Sequence, residues 1–271
     1  MAKKDRIIAS INRIISESPS IILDKIKREN SLSPKFVIQI VDDNQSFPCD
    51  ESQIILGIHS LSILWNICYD YFESHQLVSD YYTRDIIRNN DKIDICIETK
   101  ELNEDIFDFT DNYEEEILRT VWPLVENALA YTLYHEFGHI KYDQANKMQI
   151  ENEKRADLFA MNIVNNKCMG YQDVKLIENP VFLGAFLDNL LILHVSDPNE
   201  ADVAMSHPHP IERIYLFMEF FHIEDNSFLW DYAYKNVVKW ITKNNLAMTF
   251  EKDCSIKFKD KFMDAYHRYK K

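Results

Sequence analysis

The sequence predicts an α+β fold that is mostly helical, with a few strands in its N-terminal third. Two observations carry this. Beyond residue 113, apolar residues recur at helical spacing along most of the chain. Before it, residues 36–41 and 53–58 are short apolar runs, partly β-branched, which read as strands.

The elements follow in order. Ile7, Ile8, Ile11, Ile14 and Ile15 lie at helical spacing and predict an amphipathic helix over 3–17, ended by Pro19. A second short helix is expected at about 20–29. The strands at 36–41 and 53–58 come next, then a buried helix over 60–71. Residues 76–112 are polar and mixed, with strand-like alternation at 93–97, and are expected to form an insertion over the catalytic face. Asp111 is a candidate N-cap, and Glu114, Glu115 and Glu116 favour the positive end of the helix that follows. Pro123 predicts a kink or a break there, with the second part running from about 124 to 142. Further helices are expected at about 150–166, 180–195, 211–221 and 228–243. The basic run from Lys257 to Phe262 and on to Lys271 reads as a solvated amphipathic helix.

Composition narrows the function. The 271 residues are 46% hydrophobic and 27% charged, as in ordinary globular chains. Thirty Lys and Arg against 44 Asp and Glu leave a net charge of −14, which repels phosphate backbones and anionic membrane surfaces. Nucleic acid and membrane are therefore not expected as partners. The four glycines, Gly57, Gly138, Gly170 and Gly184, are scattered, which excludes a P-loop and a dinucleotide-binding glycine fingerprint. Five cysteines without a C-x-x-C pair point to free thiols in a reducing compartment. The first twenty residues lack the pattern of a signal peptide, and the most apolar stretch, 181–195, contains Asp188 and Asn189. A soluble, cytoplasmic protein is expected.

The chemistry sits in His135-Glu136-Phe137-Gly138-His139, an H-E-x-x-H motif inside a predicted helix. Histidines at i and i+4 share one helical face and can ligate one Zn²⁺ from the same side. Glu136 projects beside that metal, where it can take a proton from a bound water. Leu129, Leu133 and Ile140 make the helix largely buried, and buried imidazoles and carboxylates need partners. A catalytic zinc also needs a third protein ligand. Glu153, early in the next predicted helix, is a candidate, and Glu151 competes with it on spacing alone. Asp157, one turn after Glu153, can accept the free ring N–H of a ligating histidine. Ala156 and Ala160 would let that helix lie close to the motif helix. In Ser206-His207-Pro208-His209-Pro210, proline after each histidine holds the chain extended until a helix starts at or just after Pro210. His207 or His209 could then stabilise an oxyanion over the metal, with Arg213 holding the loop by pairing with a carboxylate such as Asp157.

His135-Glu-Phe-Gly-His139, Glu153-Lys-Arg-Ala-Asp157 and His207-Pro-x-x-x-x-Arg213-Ile together resemble the H-E-x-x-H, E-x-x-A-D and H-P-x-x-x-x-R-I blocks of gluzincin metallopeptidases. The soluble phage-exclusion peptidases of the Lit type are the most similar kind. The prenyl-protein (CAAX) proteases share the blocks but are set apart by their membrane spans. The resemblance covers about residues 124–220. It implies a single zincin-like domain over 1–271 with a catalytic core at about 113–222. It also implies one catalytic Zn²⁺ per chain, held by His135, His139 and Glu153, with Glu136 as general base, and thereby selects Glu153 over Glu151. The implied activity is hydrolysis of a peptide bond in a host protein during phage infection, in response to an activating peptide or protein. A second similarity, H-E-x-G-H followed by E-x-x-A-x-x-F-A, is to ImmA/IrrE-type peptidases that cut repressors, although those carry Asn where this chain has Asp157. A metal-stabilised binding module without turnover is a third reading. Glu136 argues against it, because binding alone needs no carboxylate between the ligands.

Overall fold

The computed structural model of the chain describes residues 3–16, 37–42, 53–75, 96–99, 115–142, 150–169, 176–195, 208–244 and 257–269. Helix α1 (Lys3–Ser16) buries Ile7, Ile11, Ile14 and Ile15, the apolar stripe visible in the sequence. Strands β1 (Val37–Val41), β2 (Gln53–Gly57) and β3 (Cys96–Thr99) form a parallel sheet in the order β2-β1-β3. The register pairs Val37 with Gln53 and Val41 with Gly57 on one side, and Val37 with Cys96 on the other. Ile38 and Ile40 of the central strand are fully buried, as a parallel sheet covered on its faces requires.

Seven more helices follow among the described residues: α2 (Ile58–His75), α3 (Glu115–Lys141), α4 (Ile150–Cys168), α5 (Pro180–Val195), α6 (Pro210–Phe220), α7 (Phe228–Lys243) and α8 (Phe258–Tyr269). The molecule is thus mostly helical with short parallel strands in its N-terminal part. Helix α5 is the hub, packed against α2, α3, α4, α6 and α7. That position explains why it is apolar all round: every face meets another helix. No helix of the described residues is long and apolar enough to cross a membrane.

Two expectations need correction. Helix α3 runs through Pro123 without a break. Proline removes one main-chain bond, and the Asn127 amide donates to the Pro123 carbonyl at 2.8 Å while Val121, Leu124 and Val125 stay buried, so packing outweighs the loss. Helix α8 is not simply solvated, because Phe262 is fully buried with its ring 5.3 Å from that of Trp230. Of the alternating segment expected at 93–97, the described residues Cys96 and Ile97 lie in strand β3. The helix expected at 20–29, the cap at Asp111 and nearly all of 76–112 lie outside the described residues.

Candidate metal centre

Helix α3 is buried at every position from 128 to 140. Its residues His135 and His139, one turn apart, turn their Nε2 atoms together to 3.1 Å. Helix α4 lies against the same face. The close approach is possible because Gly138 meets Ala156, where a Cβ on Gly138 would stand 2.8 Å from the Ala156 Cα. This brings in Glu153, whose Oε2 is 3.3 Å from His135 Nε2 and whose Oε1 is 3.3 Å from His139 Nε2. Glu153 is 5% exposed, whereas Glu151, on the outer side of the same turn, is exposed. Burial therefore separates the two candidates that spacing could not.

The three donor groups fit a metal ion. Their ligand atoms all lie within 4.8 Å of one another, and all three residues are buried. Four donors at about 2.05 Å around a tetrahedral zinc stand about 3.3 Å apart, which is the spacing of these side chains. Two imidazoles and one carboxylate also form a recognised donor set for zinc with an open fourth position.

A second layer supports the first. His135 turns its Nδ1 to Asp157 Oδ1 at 2.8 Å, so Nδ1–H donates there and Nε2 is left as the donor atom for a cation. Asp157 in turn pairs with the Arg213 guanidinium of α6. Arg213 Nη2 also lies 3.4 Å from His135 Nδ1. Arg213 and Asp157 are both buried, so each supplies the other's missing counter-charge.

The electrostatics match. Burial works against a charge on His135, but Asp157 and Glu153 outweigh it and raise its pKa to about 10 without a metal. Burial alone would raise the Glu153 carboxyl, yet hydrogen bonds from His135 and His139 hold it well below the ordinary range. The same contest at Asp157 is won by Arg213 and His135, which lower it. The centre is thus built for positive charge, whether protons or a metal cation supply it.

Glu136 is buried beside His135 on α3. His207 lies outside the described residues. His209 Nδ1 accepts the Ile211 amide at 3.2 Å and caps α6, and the ring lies against Trp240 and Tyr266. Sequence reasoning missed Thr132 and Asp188. Thr132 Oγ1 donates to Asp188 Oδ1 at 2.6 Å, deep between α3 and α5. The available signal was Asp188 itself, a carboxylate inside an otherwise apolar helix that must have a partner.

Comparison with known proteins gives one match: the family model described as Peptidase U49 fits residues 98–233. No curated protein and no solved structure matches the chain. The matched stretch holds α3, α4, α5 and α6, the helices that carry the whole cluster.

Proposed function

The chain belongs to the Peptidase U49 family, whose model covers half of it, and on that premise we propose a zinc-dependent endopeptidase built as one zincin-like domain. Peptide-bond hydrolysis and a protein substrate come with the family. The observation that carries the finer reading is the triangle of His135, His139 and Glu153 with Glu136 next in sequence to the first ligand. A zinc ion held there supplies polarisation of the scissile carbonyl and a lower pKa for the attacking water.

The remaining work falls to the chain. Glu136 takes the proton of the attacking water and delivers it to the leaving amine. Asp157 keeps His135 in the tautomer that leaves Nε2 for the metal, and Arg213 keeps Asp157 ionised and in place. His207, three residues before α6 in the sequence, donates to the developing oxyanion, a role that the resemblance of the His207-Pro block supports. The resemblance to Lit-type peptidases extends the reading to a cytoplasmic enzyme that cuts a host protein when an activating phage peptide or protein appears. The net charge of −14 supports a protein rather than a nucleic-acid partner.

The test is elemental analysis of the purified protein and of Glu153→Ala, with proteolysis of a host lysate using Glu136→Gln as control. One zinc per chain, lost in Glu153→Ala, and a cleavage that vanishes with Glu136→Gln are expected. A cleaved repressor would move the chain to the ImmA/IrrE-type reading. Stoichiometric zinc without any cleavage, even with phage proteins added, would favour a binding module.

A further inference from the structure

Among the described residues, helices α3 and α5 make the most extensive helix–helix contact, and it is mostly apolar. Gly184 of α5 sits directly on Asn127 and Ala128 of α3, close enough that a Cβ would meet main-chain atoms at 2.7 Å. Apolar contacts of this kind set a distance but not a rotation. Among the described residues a buried polar rung crosses this interface: Thr132 donates to Asp188 at 2.6 Å. Thr132 also belongs to the stripe Thr132, His135, His139, which share one helical face. Any rotation of α3 that broke the Thr132 rung would swing both imidazoles.

We propose that Asp188 is a positioning residue for the metal centre, acting through Thr132 to fix the rotation of α3 that turns the His135 and His139 Nε2 atoms towards Glu153 of α4. A directional bond to a buried carboxyl can do this where apolar packing cannot. The surroundings of Asp188 point the same way. The charged or titratable groups that act on it are Cys68 on α2, Tyr131 and His135 on α3, Asp157 on α4 and Arg213 on α6. His135, Asp157 and Arg213 belong to the site. Burial pushes the Asp188 carboxyl up to about 7, so a neutral amide of the same shape is a fair replacement.

This inference rests on reading His135, His139 and Glu153 as a metal site. The experiment measures Zn²⁺ affinity by competition with a chelator, and the visible absorption of the Co²⁺-loaded protein, in full-length variants. Thr132→Val, which removes the hydroxyl and keeps the shape, is expected to weaken Zn²⁺ binding about 10–100-fold and to alter the Co²⁺ bands. Thr132→Ser and Asp188→Asn, which keep a donor and an acceptor for the rung, are expected to restore both. Rescue by these two variants is what a merely structural role would not produce. If Thr132→Val fails to fold, Thr132→Ala reads the same contact. Wild-type affinity and an unchanged Co²⁺ spectrum in the variant lacking the hydroxyl would overturn the proposal. So would an Asp188→Asn protein as weak as Thr132→Val, since charge and not the rung would then be at work. A wild-type chain that takes up no zinc would instead overturn the metal reading on which the proposal stands.

Discussion

Replacing Gly138 with alanine tests whether the contact between α3 and α4 builds the metal centre. A Cβ at 138 would lie 2.8 Å from the Ala156 Cα, 3.2 Å from its Cβ and 3.3 Å from its carbonyl oxygen. Carbon atoms rest at about 3.5–4.0 Å, so the two helices must part by roughly 1 Å. Two of the three opposing atoms are main chain, so no side chain can swing away to absorb the strain. Ala156 sits between Glu153 and Asp157 on α4, and the parting therefore carries both carboxylates away from His135 and His139. The 3.3 Å separations from Glu153 to the two Nε2 atoms would open to roughly 4 Å, against a tolerance of about 0.2 Å for metal–ligand distances. The stability cost of overpacking, about 1–3 kcal/mol, is offset in part by about 1 kcal/mol gained from replacing glycine inside a helix. Gly138→Ala should therefore fold nearly as well as wild type and bind Zn²⁺ at least about 10-fold more weakly. Chelator competition and thermal unfolding, run side by side, read the two effects separately. A variant that holds zinc with wild-type affinity would refute the argument that this glycine sets the spacing of the site.

Three other outcomes follow from the same contacts. Asp157→Asn leaves the buried Arg213 without its counter-charge, so denaturant unfolding should show a loss of about 3–5 kcal/mol, and zinc titration a weakening of about 10–100-fold. At Asp188 the folded-state pKa of about 7 lies above the ordinary 3.8, so the folded protein holds a proton that the unfolded chain releases. That stability is present below pH 4 and is lost as pH rises towards 7, an effect of roughly 4 kcal/mol. Asp188→Asn should therefore gain stability relative to wild type across that window in urea titrations, and a constant difference would contradict the assignment. Gly184→Ala would place a Cβ 2.5 Å from the Asn127 Cβ and 2.7 Å from main-chain atoms, so calorimetry should show a loss near the top of the usual 1–3 kcal/mol for overpacking.

Much of the site was legible because its logic is local. The i, i+4 spacing of His135 and His139 puts them on one face of any helix that contains them. The burial of that helix was readable from Leu129, Leu133 and Ile140. The amphipathic stripe of α1 and the helices around 150–168, 180–195 and 228–243 were legible for the same reason, since helical periodicity depends only on near neighbours. The mistake at Pro123 has a tertiary cause: the residue reads locally as an interruption, but a helix held by α2, α4 and α5 keeps its course. The Nδ1 contact of His209 with the start of α6, and the placing of its ring against Trp240 and Tyr266 from α7 and α8, came only with the packed structure.

The sequence by itself indicated the mostly helical α+β class, and it offered the H-E-x-x-H turn and a carboxylate after it as candidate metal donors. Spacing alone could not choose between Glu151 and Glu153, which lie two residues apart and so point to different sides of α4. The contact of Gly138 with Ala156 brings the Glu153 side of α4 onto the histidines and leaves Glu151 exposed. The tertiary structure alone decided the Thr132–Asp188 rung and the β2-β1-β3 order of the sheet, and it brings together the Arg213–Asp157 and Asp157–His135 pairs that the sequence offered as candidates. The rung and the strand order join residues far apart in the chain, and the physical reason they were hidden is that such pairings depend on how whole elements pack, not on the spacing of neighbours along one of them.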